Sequence, residues 1–348
     1  MQPELTDSAF VRLGIVSVDP LIVLGTLDFS NDGRNFTHLR VRTALGDRPA
    51  YLLAVLPWTH QAPFHVRRVT ELLQDQARQF PHQHFCLLCN TREEMELFRQ
   101  AGIRTALFNH NIFIDHALFR PLTQAQPRYD AIYNAAMDRF KRHHLMAALR
   151  SGVLVYAYWG EKSANAGYYA ELRQLLPQCL FANQPDEDRP YEYLPAARVV
   201  EFYNQARVGL CLSAAEGAMR ASMEYLLCGL PVVTTPNVGG RDLFFDPAYA
   251  ITAEPEPQAI ARAVEELIAR QLPPQQVRDA VLRKVRPMRQ DFIALLREIY
   301  ARESRPWPPA GYFRNPFRHP YENVIGILDF PDQLAAAEKA HDTALAID

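Results

Sequence analysis

Val208-Gly209-Leu210-Cys211-Leu212-Ser213-Ala214-Ala215-Glu216-Gly217-Ala218-Met219-Arg220-Ala221-Ser222-Met223-Glu224-Tyr225-Leu226-Leu227-Cys228-Gly229-Leu230-Pro231-Val232-Val233-Thr234-Thr235-Pro236 reads as strand, loop, helix, loop, strand. Val208 to Leu212 is a continuous apolar run of the kind a strand buried on both faces carries. Ala218 to Leu227 has helix-forming composition, and a second apolar run follows Gly229-Leu230-Pro231. This is one crossover unit of a parallel sheet, with Glu216 expected at the helix start and Glu224 inside the helix. An acidic side chain beside exposed backbone N–H groups offers an acceptor to hydroxyls and donors to anions, a combination suited to a phosphorylated sugar.

The same alternation extends in both directions. Toward the N-terminus, strands are expected at Leu21–Leu24, Tyr51–Leu56, Phe85–Cys89 and Thr105–Asn109, with helices at Val66–Phe80 and Arg92–Ala101. Pro121 to Arg128 is the candidate linker. Beyond it come strands Ala131–Asn134, Val153–Tyr158 and Gln178–Ala182, and helices Arg139–Arg150, Tyr168–Leu176, Ala196–Gln205, Ile260–Arg270 and Val277–Arg302. A strand Val324–Leu328 and a helix Pro331–Ala344 close the chain. Strands alternating with helices predict α/β layers with parallel sheets covered on both faces. The expected division is residues 1–122, residues 123–300 and a tail 301–348.

The Glu-x7-Glu spacing of Glu216 and Glu224, with Gly-Leu-Pro-Val-Val and Gly239-Gly240 after it, resembles the donor-site signature of retaining glycosyltransferases of the GT-B type, family four in particular. Asn111-Ile112-Phe113-Ile114-Asp115-His116-Ala117-Leu118-Phe119-Arg120-Pro121 is similar to the stretch that leads into the donor domain of that family. The resemblance implies two Rossmann-like doubly wound domains facing a central cleft, with a tail that crosses back to the first domain. It also implies transfer of a hexose from a nucleotide diphosphate sugar to a hydroxyl of a glycan or similar acceptor, with anomeric retention. No metal and no further cofactor are expected, because Lys and Arg leave a divalent ion nothing to neutralise.

By that resemblance Glu216 contacts the transferred sugar and Glu224 the ribose hydroxyls, while Gly217, Ala218 and Met219 offer backbone N–H groups. Lys141 and Arg142, expected to open a helix, would neutralise the departing pyrophosphate, and Asn183 falls where the family holds the base. Gly239, Gly240 and Arg241 form either a turn or a second phosphate contact. The chain departs from the family where an Arg usually precedes the Lys: Ala135 and Ala136 stand there, with Arg139 or Arg241 as candidate substitutes. Arg34, Asn35 and His60 are the candidates for acceptor binding. Structural alternatives stand beside these roles: Ser213 and Glu216 also spell a Ser-x-x-Glu capping box, Lys141 and Arg142 a solvated basic patch, and His60 an exposed loop histidine.

Composition narrows the classes. Over 348 residues, 48% hydrophobic and 22% charged describe a folded globular chain, and a net charge of −2 gives no reason to expect nucleic acid as partner. No apolar run reaches membrane-spanning length, and Glu4 and Asp7 precede any basic residue, so a cytoplasmic protein is expected. Five cysteines do not form a disulfide framework, and His82, His84, Cys86 and Cys89 read as a core strand rather than a zinc site. Asp186 and Asp188 read as a solvated loop. Two rivals remain open at this stage: a sugar-nucleotide epimerase of the same architecture, and a non-catalytic partner subunit.

Overall fold

The computed structural model describes residues 13–27, 39–158, 166–186, 188–308 and 329–345. Arg34, Asn35 and the expected strand Val324–Leu328 lie outside the described residues. The described chain forms two compact units: one takes the residues up to Ile114 and those from Pro287 onward, and the other is Asp115–Arg286. Linker composition alone points to residues 122 and 300 for these divisions.

The first unit carries β1 (Leu13–Val18), β2 (Leu21–Thr26), α1 (Leu39–Leu45), β3 (Ala50–Val55), α2 (Pro63–Gln79), β4 (Gln83–Cys89), α3 (Arg92–Gln100) and β5 (Thr105–Leu107). These strands make one sheet in the order β1-β2-β3-β4-β5. β2 to β5 run parallel, and β1 pairs antiparallel with β2 as a hairpin across Asp19-Pro20. β1 has no counterpart in the sequence reading. Side chains alternate across the sheet: Leu21, Val23, Ala50, Leu52, Ala54, Leu87 and Cys89 share one core with Val41, Val69, Leu73 and Phe98. Each buried Val, Leu or Phe among them contributes roughly 1.5–3 kcal/mol, the alanines less.

The second unit holds β6 (Tyr129–Asn134), β7 (Gly152–Val155), α4 (Ala166–Leu175), β8 (Cys179–Phe181), α5 (Ala196–Asn204), β9 (Ala206–Cys211), α6 (Arg220–Leu227), β10 (Val232–Thr234), β11 (Ala250–Thr252) and α7 (Pro257–Ala269). Its six strands are all parallel, in the order β11-β10-β9-β6-β7-β8. The chain therefore builds outward from β6 in one direction, returns beside β6 with β9, and builds outward in the other. That is the doubly wound order, and its switch point lies between β6 and β9.

α8 (Pro274–Arg302) begins in the second unit and ends in the first, the division falling at Pro287 inside it. In the first unit its C-terminal end meets β1 and β3: the Tyr300 hydroxyl lies 2.7 Å from Ser17 Oγ, and the Tyr51 hydroxyl bonds Glu303, just past the helix. α9 (Phe330–Leu345) returns Phe330 and Leu334 to the core of Leu21 and Leu52.

Two expected elements differ. A helix over Arg139–Arg150 is absent; two short 3-10 turns, Arg139–Lys141 and His143–Met146, meet at Arg142, which is left-handed at φ 56°. The buried Tyr133 hydroxyl donates to the Lys141 carbonyl at 2.7 Å, taking an acceptor that an α-helix needs for its own ladder. The helix expected from Ala218 starts at Arg220, because Met219 takes a left-handed conformation, φ 46°.

Candidate functional site

The open end of the second unit's sheet at its switch point is where β6 and β9 release their chains, and ligands of doubly wound sheets bind outside such carboxyl ends. After β6 come Lys141 and Arg142; after β9 come Ser213, Glu216 and α6. Lys141 and Glu216, 75 residues apart, meet as an ion pair with side-chain exposures of only 7% and 6%. Ser213 Oγ donates to the same Glu216 oxygen at 2.6 Å. The Tyr133 hydroxyl stands 3.3 Å from Ser213 Oγ and grips the Lys141 carbonyl, so one side chain of β6 anchors both members of the pair. A buried ion pair is costly unless geometry and extra hydrogen bonds compensate, and here a hydroxyl supplies one.

The capping-box alternative for Ser213 and Glu216 is excluded by this geometry. Ser213 lies well before the first residue of α6, and its hydroxyl serves the Glu216 carboxylate instead of a helix N–H. The solvated-patch alternative for Lys141 fails likewise, since Lys141 is buried; Arg142 beside it is half-buried.

Glu224 sits one turn inside α6, 8% exposed. Its Oε2 accepts from the Tyr203 hydroxyl at 2.6 Å, and that hydroxyl accepts from Asn134 Nδ2 at 2.6 Å. Asn134 N donates to the Tyr225 hydroxyl at 2.6 Å, and the two tyrosine rings meet edge to face at 4.9 Å. α6 can approach β9 this closely because Gly209 has no side chain: a Cβ there would lie 2.4 Å from the Tyr225 ring. The two acidic residues are thus tied to consecutive residues of β6, Glu216 through Tyr133 and Glu224 through Asn134.

The Gly239-Gly240 turn closes against the Glu216 loop. Glu216 N donates to Val238 O at 3.0 Å, Val238 N to Ala214 O at 2.9 Å, and Gly240 N to Gly217 O at 2.6 Å. Gly217 and Ala218 are buried, and with Met219 they lead into the N-terminal end of α6.

Arg241 is fully buried. Its guanidinium donates to Ser213 O at 2.7 Å, Thr234 Oγ1 at 2.6 Å, Thr235 O and Asp242 Oδ1 at 2.8 Å. Those bonds tie the ends of β9 and β10 together and engage the guanidinium with acceptors of its own unit. Arg139 pairs with exposed Glu171 at 2.6 Å. Asn183 is 2% exposed; its side chain accepts from Tyr156 N and donates to Glu192 O, both at 2.8 Å, so it fastens loops.

His143, fully buried after the first 3-10 turn, places Nδ1 3.1 Å from the Tyr168 hydroxyl. Loss of solvation, followed by the Lys141 charge, lowers its pKa to about 3. His60, in the first unit, is buried and not the exposed loop histidine of the alternative reading; burial pulls its pKa down to about 4. Its backbone N–H and that of Asn90 both donate to the buried Glu94 carboxylate, at 2.8 and 3.0 Å. Cys86 is buried in β4, and burial pushes its thiol up to about 11. Among the described residues no three His, Cys, Asp or Glu side chains gather as metal ligands would, and no helix is long and apolar enough to cross a membrane.

Tyr133, Asn134, Tyr203 and Ser213 in this role were not found from the sequence. A polar Tyr-Asn pair closing the apolar strand Ala131-Ile132 was the only local signal.

Residues 167–270 match the family model described as Glycosyl transferases group 1. No curated protein matches. Among solved structures, HepE from Anabaena, in complex with UDP and glucose, aligns with TM-score 0.53 and 16% identity over 72% of each chain. Sucrose-phosphate synthase from Thermosynechococcus elongatus aligns with TM-score 0.54 and 16% identity, over 72% of this chain and 68% of that one. S. aureus TarM, as a point mutant in complex with fondaparinux, alpha-GlcNAc-glycerol and UDP, gives 0.51 and 13% over 71% and 50%. These likenesses show the fold: α/β, with Rossmann-like units of the GT-B class.

Proposed function

We propose that the chain is a glycosyltransferase that moves a hexose from a nucleoside diphosphate sugar to a hydroxyl acceptor, with retention at the anomeric carbon and without a metal. The observation that carries this reading is the buried Lys141–Glu216 pair at the switch point, one loop before the N-terminal end of α6, with Glu216 inside the segment matching the group 1 model. A cation and helix N–H groups around one point favour a diphosphate, and carboxylates beside them favour sugar hydroxyls. Uridine diphosphate is the first nucleotide to test, since HepE and TarM are complexed with it.

In this mechanism Glu224 accepts hydrogen bonds from the ribose hydroxyls and Glu216 from the transferred sugar. Lys141 takes the developing charge of the leaving diphosphate, whose oxygens compete with Glu216 for the ammonium as the glycosidic bond breaks. The sugar passes through an oxocarbenium-like state as its bond to the diphosphate oxygen breaks, and the acceptor hydroxyl bonds to the anomeric carbon on the face the diphosphate leaves while giving its proton to a departing phosphate oxygen. His60 stays among the acceptor-side candidates only through its backbone loop, because its ring is buried.

The test is a thermal-shift panel of UDP, GDP, ADP and their hexose conjugates, since a ligand of the folded state raises the melting temperature with its affinity. A shift with one diphosphate, followed by a product carrying the donor's anomeric configuration, is the expected result. Conversion of the donor with no acceptor present would favour an epimerase, and no shift with any nucleotide would remove the donor site.

A further inference from the structure

We infer that Tyr203, backed by Asn134, is a positioning residue that orients the Glu224 carboxylate for its ligand. The inference rests on the donor-site reading above. An ionised carboxylate only accepts hydrogen bonds, so the single Tyr203 hydroxyl proton is committed to Glu224 Oε2, and the amide Nδ2 of Asn134 must be the donor to the Tyr203 oxygen. The chain of donors therefore has one direction: β6 to α5 to α6. It holds one carboxylate oxygen and leaves the other, Oε1, without a hydrogen bond to any described residue; Arg220 Nε stands 3.9 Å from it. The half-restrained carboxylate thus holds Oε1, engaged only by a long ion pair to the Arg220 guanidinium, at a fixed place, as recognition of a hydroxyl requires.

A packing role alone would need the ring and not this arrangement. Tyr203 is fully buried at the end of α5, edge to face with Tyr225 and 6.2 Å from Phe119. Burial lifts its pKa far above the ordinary tyrosine value, with the Glu224 charge next in weight, so the hydroxyl remains a proton donor across the working range. Phe fits the same ring packing and lacks only the oxygen. Hydrogen bonds to charged groups are worth more than neutral ones, so the loss is measurable.

Calorimetric titration separates the two roles, using UDP and 2′,3′-dideoxy-UDP, or the corresponding pair for whichever diphosphate the intact protein binds. Tyr203→Phe should weaken binding of the ribonucleotide roughly tenfold, while the dideoxy analogue changes less than about twofold. Asn134→Ala, which spares the tyrosine, should move the same ratio in the same direction. In a Glu224→Ala background Tyr203→Phe should add nothing, because no acceptor is left for the hydroxyl to orient. Equal weakening of both nucleotides, or full additivity with Glu224→Ala, would overturn the positioning role while leaving the donor site intact. If the unaltered protein binds none of the diphosphates, the donor-site reading fails, and this role with it.

Discussion

Gly239 presses its backbone onto the carbonyl of Glu216: a Cβ on Gly239 would stand 1.7 Å from that oxygen, and its φ of 124° is closed to other residues. The Gly-Gly turn is therefore a fixed wall of the Glu216 loop. Gly239→Ala should cost about 2 kcal/mol or more from backbone strain alone, and more once the loop is displaced. Urea unfolding followed by nucleotide titration of the surviving fold checks it; wild-type stability would mean the turn has room to move.

Lys141 and Glu216 make opposite predictions singly and together. Lys141→Ala leaves a buried carboxylate unpaired and should destabilise by roughly 3 kcal/mol, whereas Lys141→Met with Glu216→Gln removes both charges and should recover most of that. Lys141→Ala and Glu216→Ala, each alone, should also lower transfer at least about a hundredfold if both groups act in the transition state. A fall of less than about threefold for both would remove them from the chemistry.

Arg241 distinguishes a framework residue from a phosphate ligand. Its guanidinium is spent on Ser213, Thr234, Thr235 and Asp242. Arg241→Met should lower the melting temperature sharply, by removing a buried network and stranding its acceptors. A variant that melts like wild type yet binds the nucleotide far more weakly would return Arg241 to the ligand.

The His143 imidazole gives the acid limb of stability a definite sign. Its folded pKa of about 3 lies below the unfolded value of 6.5, so the unfolded chain binds the extra proton between them. Stability from this group is full above pH 6.5 and is lost as pH falls toward 3, and His60, at about 4, acts in the same direction. His143→Gln should make the fall in unfolding free energy between pH 6.5 and 4 shallower, as read by urea titration at stepped pH. An unchanged slope would place the acid sensitivity elsewhere.

Most strands of both sheets are legible because buried parallel strands carry unbroken apolar runs, as in Val208–Leu212 and Leu52–Leu56. β1 and β11 are the exceptions: β1 belongs to a hairpin and not to the strand-helix alternation, and β11 is a three-residue edge strand, Ala250–Thr252, too short to carry such a run. The Arg139–Arg150 segment misled for a tertiary reason: Tyr133, a neighbour only in the folded unit, takes the Lys141 carbonyl. At the site, Lys141, Glu216 and Glu224 were visible as residue types in a pattern, but not that Lys141 pairs with Glu216 across 75 positions. Tyr203 reaches Glu224 across 21 positions and two helices, a relation no local spacing encodes.

The five cysteines are all buried and unpaired. A thiolate must form and meet solvent before it reacts, and burial raises the pKa of every one of these thiols. Alkylating reagents added to the native protein will thus modify it only as fast as the chain opens. Because Cys86 and Cys89 lie in one sheet and Cys179 and Cys211 in the other, the order in which they label would clock the opening of each half separately.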